Sequence, residues 1–192
     1  MKTLLIDRDG VINRIIDSSE GLISPQNVGE FEFKEGAEKA LRQASEAGFQ
    51  IIVFTNQPDI GKSWRPLDEN KLSDINDLLR EKGVDAIYHC PHGPLGGREG
   101  SHYRENGEIV VCDCRKPQPG LLERADDEHD IDFDESYVIG DSQTDLEAAS
   151  RFEKERGVSF RGKILIGEEE VGNPTFDNLY NAIEYIEGDL IG

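Results

Sequence analysis

Short apolar runs alternate along the chain with longer stretches whose apolar residues recur at helical spacing. Thr3 to Ile6, Gln50 to Phe54, Ala86 to His89, Ser136 to Ile139 and Lys163 to Ile166 read as strands. Ala37 to Ala47, Leu67 to Lys82, Gln118 to Glu128, Ser142 to Glu155 and Thr175 to Glu187 read as helices. Gly48 and Gly83 follow the first two as stop signals, and Pro119 sits near the first turn of the third. This rhythm predicts an α/β fold, a central parallel sheet with helices on both faces, in one domain over residues 1–192.

In such sheets ligands gather at the carboxyl ends of the strands. The distinctive polar residues fall there. Asp7 and Asp9 follow the first apolar run, Thr55 and Asn56 the second, and Gly140-Asp141 the run at 136–139. Two stretches break the rhythm and read as loops over a site: Asn13 to Lys34, and Pro91 to Cys114.

Charge narrows the partners. The 192 residues carry a net charge of −19, which argues against nucleic acid and against anionic membranes. No run approaches the ~18 apolar residues of a membrane span, and the apolar start is too short for a signal peptide. The expectation is a cytoplasmic protein; oligomeric state is not legible, and a monomer is compatible with the sequence.

Asp7 and Asp9 stand two residues apart, which in extended backbone points both side chains to one side. Paired carboxylates divide labour: one attacks phosphorus, the other gives and takes a proton at the bridging oxygen. Carboxylates repel a phosphoryl group, so a cation is needed between them, and Mg²⁺ suits oxygen ligands. Asp141 is placed to complete that metal site, with Asp145 one helical turn on. Thr55, Asn56 and Lys116 offer donors and a positive charge to phosphoryl oxygens. Singly, each has a bland reading as a turn, a loop start or a surface charge. Gly61-Lys62-Ser63 looks like a P-loop ending but lacks the earlier glycine, since Asn56 stands there.

All three cysteines cluster. Cys90-Pro91-His92 and Cys112-Asp113-Cys114 make a Cys₃His set suited to structural Zn²⁺ in a loop over about residues 89–115. Buried free thiols, or a disulfide from Cys90 to one of the later pair, are the alternatives, and His89 is the competing imidazole.

The strings Asp7-Arg8-Asp9-Gly10-Val11-Ile12-Asn13, Thr55-Asn56-Gln57, Cys114-Arg115-Lys116-Pro117 and Ile139-Gly140-Asp141-Ser142-Gln143-Thr144-Asp145 together resemble the haloacid dehalogenase (HAD) superfamily. The nearest branch holds D-glycero-D-manno-heptose 1,7-bisphosphate 7-phosphatases and histidinol-phosphate phosphatases. The resemblance implies a Rossmann-like fold with a minimal cap, Asp7 as nucleophile and Asp9 as general acid/base. It implies phosphoryl contacts from Thr55, Asn56 and Lys116, and substrate recognition by Arg115. Mg²⁺ would be bound by Asp7, Asp141 and the Asp9 backbone carbonyl, and Zn²⁺ by Cys90, His92, Cys112 and Cys114. Val11 stands where the family usually has Thr, and Pro58-Asp59 replaces a small residue and Gly. The expected function is hydrolysis of a small phosphorylated metabolite through an aspartyl-phosphate, with the heptose bisphosphate ahead of histidinol phosphate because no second enzyme domain is fused. A phosphotransferase and a non-catalytic phosphate-binding module are the rival classes. A sugar bisphosphate needs a second cationic patch, for which Arg14, Lys62, Arg65, Arg98, Arg104 and Arg115 are candidates.

Overall fold

The computed structural model describes residues 1–18, 21–60, 67–93, 102–105, 108–167 and 173–191, with the backbone alone at 102–105, 108–110 and 191. Its strands are β1 (Thr3–Ile6), β2 (Ile16–Ser18), β3 (Gly21–Ile23), β4 (Gln50–Asn56), β5 (Ala86–Cys90), β6 (His102–Glu105), β7 (Glu108–Val111), β8 (Tyr137–Gly140), β9 (Gly162–Ile166) and β10 (Thr175–Phe176). The helices are α1 (Ala37–Glu46), α2 (Glu69–Arg80), α3 (Gly120–Glu128), α4 (Gln143–Arg156) and α5 (Leu179–Ile191).

Six strands form one sheet in the order β10-β9-β8-β1-β4-β5, and every pairing in it is parallel. The two-residue alternation of a strand decides what covers each face. Leu4, Ile6, Ile51, Val53 and Ile139 point to one side, where they pack with α1, α2 and α5 through Leu41, Ile75, Leu79, Ile183 and Ile186. Leu5, Ile52, Phe54 and Val138 point to the other, where they meet Leu121, Leu122, Ala149 and Phe152 of α3 and α4. Every one of these side chains is buried, so both faces are dry and the strands read as unbroken apolar runs.

Local chemistry sets the helix ends. Asp68 caps α2 by accepting from the Lys71 N–H. Ser142 and Asp145 form a capping box at the start of α4. The last predicted helix is corrected: α5 starts at Leu179, and Thr175–Phe176 is instead an edge strand on β9. Asn178 explains the shift, because its side-chain oxygen caps the Asn181 N–H, and two apolar positions cannot tell an edge strand from a helical turn.

The stretch between β1 and α1 holds the antiparallel β2–β3 hairpin, a small flap rather than a capping domain. The second irregular stretch holds the β6–β7 hairpin. No helix among the described residues is long and apolar enough to cross a membrane.

Candidate active site

The ends of three adjacent strands, β8, β1 and β4, converge on one place. Asp7 follows β1, Thr55 and Asn56 end β4, and Asp141 follows β8. Lys116 reaches in from the loop before α3. Its ammonium lies 2.6 Å from Asp7 Oδ1 and 2.6 Å from Asp145 Oδ1, and it donates to the Phe54 carbonyl at 3.1 Å. Asp145 is buried, and its other oxygen accepts from the Ser142 N–H and hydroxyl at 3.1 and 2.7 Å.

Carboxylate oxygens of Asp7, Asp141 and Asp145 all lie within 4.8 Å of one another. One buried lysine cannot balance three carboxylates. Burial pushes the Asp7 carboxyl up to about 8; Lys116 opposes this, and Asp145, Asp141 and Asp9 add to it. Burial and Asp145 likewise push Asp141 up to about 6. Burial acts to lower the Lys116 pKa, but Asp145 and Asp7 outweigh it and hold the ammonium charged. The surplus of negative charge on hard oxygen donors is what a divalent cation such as Mg²⁺ would neutralise.

Gly10 makes this geometry attainable. Its φ is +87°, and a Cβ built there would stand 1.7 Å from Asp141 Oδ2. Only glycine tolerates both.

Asp9 occupies a separate environment. The backbone leaves the extended form after β1, with the Ile12 N–H bonded to the Arg8 carbonyl. The Asp9 carboxylate stays outside the acidic cluster and accepts from four side chains. Arg8 Nη2 reaches both its oxygens at 3.1 and 3.0 Å. Asn13 Nδ2 donates at 2.9 Å, Ser24 Oγ at 2.9 Å and Gln57 Nε2 at 2.6 Å. Burial acts to raise the Asp9 pKa, but Arg8 and the bonds from Asn13, Gln57 and Ser24 outweigh it and hold the carboxyl below its usual range. This cage was not legible in sequence. Ser24 and Gln57 lie 15 and 48 residues from Asp9, and only the fold brings them together.

Asn56 is turned toward Lys116. Its Oδ1 accepts from the Lys116 N–H at 3.1 Å and its Nδ2 donates to the Lys116 carbonyl at 3.4 Å, so its side chain is spent on holding the lysine's backbone. Thr55 is buried, and its Oγ1 accepts from Gln57 Nε2 at 3.0 Å.

Cys90, His92, Cys112 and Cys114 face one another beside this site. The six separations among their three sulfurs and the His92 Nδ1 run from 3.0 to 3.5 Å. These are the edges of a tetrahedron, whose centre is about 2 Å from each corner, close to metal–nitrogen and metal–sulfur bond lengths. All three cysteines are free thiols, so the disulfide alternative does not hold here. Arg115 Nη1 donates to the His92 carbonyl at 2.9 Å, tying the cluster to the loop that carries Lys116.

Of the candidates for a second cationic patch, Arg14 is exposed and paired with Glu32 at 3.1 Å. Lys62, Arg65 and Arg98 lie outside the described residues, as does the rest of the Gly61-Lys62-Ser63 string, and Arg104 is described by its backbone alone. An open cleft of about 670 Å³ lies at the opposite, amino-terminal edge of the sheet; lined by Met1, Asp130, Asp132, Ser159 and neighbours, it has none of these groupings.

Comparisons with known proteins place the chain in a family. A HAD-hydrolase-like family model matches residues 113–155. The D-glycero-beta-D-manno-heptose-1,7-bisphosphate 7-phosphatase of Escherichia coli O6:H1 is 32% identical over 97% of this chain and 89% of its own length. The D-glycero-alpha-D-manno-heptose-1,7-bisphosphate 7-phosphatase of Photorhabdus laumondii is 33% identical over 79% of this chain and 78% of its own. The crystal structure of D,D-heptose 1,7-bisphosphate phosphatase from B. bronchiseptica, complexed with magnesium and phosphate, superposes with a TM-score of 0.72 at 27% identity, covering 98% of this chain and 99% of that one. This chain belongs to the HAD-like hydrolases, in the family of the heptose 1,7-bisphosphate phosphatases.

Proposed function

We propose that this protein removes the 7-phosphate of a D-glycero-D-manno-heptose 1,7-bisphosphate by way of an aspartyl-phosphate on Asp7. The observation that carries the reading is the placement of two neighbouring carboxylates in opposite surroundings. Asp7 lies against Lys116 in an electron-rich cluster, and Asp9 sits in a cage of donors. Such a division suits a nucleophile and a proton carrier. The substrate is taken from the named relatives, which match this chain over most of its length.

The Asp7 carboxylate attacks phosphorus, the bond from phosphorus to the leaving oxygen breaks, and Asp9 gives that oxygen a proton. Water then attacks the phosphorus of the aspartyl-phosphate, Asp9 takes the water's proton, and the bond to Asp7 breaks to release phosphate. The cage around Asp9 favours its ionised form, which is the form that deprotonates water. An arriving phosphoryl dianion raises the pKa of a neighbouring carboxylate and so favours protonation for the first step. Lys116 and the Thr55 hydroxyl hold the equatorial oxygens, and Arg115 contacts the sugar side. Magnesium, when held by Asp7, Asp141 and the Asp9 carbonyl, supplies positive charge between the carboxylates and the phosphoryl group. Zinc is the ion assigned to Cys90, His92, Cys112 and Cys114, with the role of fixing the loop that presents Arg115 and Lys116.

The test is phosphate release, with magnesium present, from both anomers of the heptose bisphosphate and from histidinol phosphate. The expected result is a preference of about 100-fold or more in kcat/KM for one heptose anomer. Equal rates on all three would overturn the substrate, and no release from any would favour a phosphate-binding module.

A further inference from the structure

Gln57 is fully buried at the meeting point of three parts of the site. Its backbone N–H donates to the carbonyl of Cys90, a member of the four-residue metal cluster, at 2.7 Å. Its Nε2 serves Asp9 Oδ2 at 2.6 Å and Thr55 Oγ1 at 3.0 Å. The amide can be oriented in one way only, because an oxygen in place of Nε2 would face the Asp9 carboxylate at that separation. Both hydrogens of the amide are thereby committed, one to each neighbour.

This has a consequence for Thr55. A hydroxyl has one hydrogen to give and lone pairs to receive. With a lone pair taken by Gln57, the Thr55 hydrogen is directed away from Gln57, the arrangement needed to donate to a phosphoryl oxygen.

The remaining atom of the side chain points the same way. Gln57 Oε1 is buried with no hydrogen-bond partner among the described residues. A buried acceptor without a partner costs stability, and an apolar side chain of the same length would avoid that cost. The two bonds its amide donates, to the Asp9 carboxylate and the Thr55 hydroxyl, offset that cost, so the side chain is held by the two groups it positions.

We infer that Gln57 is a positioning residue that sets the donor direction of the Thr55 hydroxyl and the place of the Asp9 carboxylate together, anchored by its backbone to the metal cluster. This rests on the phosphatase reading above. Gln57 acts through the Thr55 hydroxyl and the Asp9 carboxylate, both of which its amide contacts.

The experiment is a double-mutant cycle in the metal-loaded protein with Gln57→Met and Thr55→Val, singly and combined. Loss of wild-type turnover in Asp7→Asn tests the phosphatase reading separately. Within the active enzyme, Gln57→Met is expected to lower kcat by about 10- to 100-fold with KM little changed. Thr55→Val is expected to cost about tenfold or more in the wild-type background and less than about threefold beside Gln57→Met. The same cycle read by calorimetric binding of inorganic phosphate does not need turnover, and there the Thr55→Val penalty should also shrink. Should Gln57→Met not fold, Gln57→Asn, which draws the amide back by one methylene, is expected to show the kcat loss in a folded protein. A kcat within about twofold of wild type in a folded Gln57 variant, or a Thr55→Val cost of equal size in both backgrounds, would overturn the inference.

Discussion

The Lys116 ammonium lies 2.6 Å from Asp7 Oδ1, although 109 residues separate the two in sequence. It bridges Asp7 to Asp145 and is the only cation in direct contact with either, among the described residues. Replacing Lys116 with Met is expected to lower kcat by about a thousandfold or more, because the developing phosphoryl charge loses its fixed partner. The same change leaves two buried carboxylates uncompensated, so magnesium-free protein should lose a few kcal/mol of stability. Phosphate release and thermal melts with and without magnesium check both parts. Unchanged melting in the absence of metal would contradict the bridging role.

Gly10→Ala places a methyl where Asp141 Oδ2 now stands and forces a non-glycine residue into φ +87°. Strain of this kind costs on the order of 1–3 kcal/mol. The displaced carboxylate should weaken magnesium binding by about 10- to 100-fold, in line with disturbing a ligand's support. A magnesium titration of activity reads the shift; an unchanged midpoint would place Asp141 outside the metal site.

Magnesium and pH are linked through the acidic cluster. In the metal-free protein burial raises Asp7 to about 8 and Asp141 to about 6, against about 3.8 in the unfolded chain. The folded state therefore binds these protons more tightly, and the contribution of these two groups to metal-free stability falls as pH rises from about 4 through 8. A cation needs both groups deprotonated, so its affinity climbs over the same range. The rise in melting temperature on adding magnesium should be larger at pH 8 than at pH 6. An equal or smaller rise at pH 8 would contradict the assignment of these carboxylates as its ligands.

Under the proposed zinc assignment, stripping the ion from the cysteine cluster should cost activity as well as stability. Cys114 is joined to Lys116 by one residue, Arg115, which donates to the His92 carbonyl at 2.9 Å. Chelation followed by gel filtration and assay is expected to show a loss of about tenfold or more in kcat in the fraction that stays folded, restored by added zinc. Full turnover in a folded, metal-stripped fraction would separate the cluster from the site.

Much of this arrangement is readable from sequence because strand ends in a parallel sheet are where polar residues become conspicuous. Asp7, Thr55 and Asp141 each stand directly at the end of an apolar run, so topology alone brings them together. The cysteine cluster is readable for a different reason: soft ligands in close pairs have few other uses in a chain with three thiols. The surroundings of Asp9 are not readable. They depend on a turn at Gly10, on a flap that delivers Ser24, and on a loop that returns Gln57, none of which leaves a periodic trace. Asn56 shows the same limit. Its position after β4's apolar run suggests a phosphate donor, and only tertiary packing shows its side chain clasping the Lys116 backbone.

The most direct measurement is a rapid borohydride quench of the magnesium-loaded protein during turnover of the heptose bisphosphate, followed by peptide mass mapping. An acyl phosphate is reduced to the alcohol, so the aspartyl-phosphate route predicts homoserine at position 7, absent without substrate and absent in Asp7→Asn. Sustained phosphate release with no modification at Asp7, or turnover persisting in Asp7→Asn, would contradict Asp7 as the nucleophile.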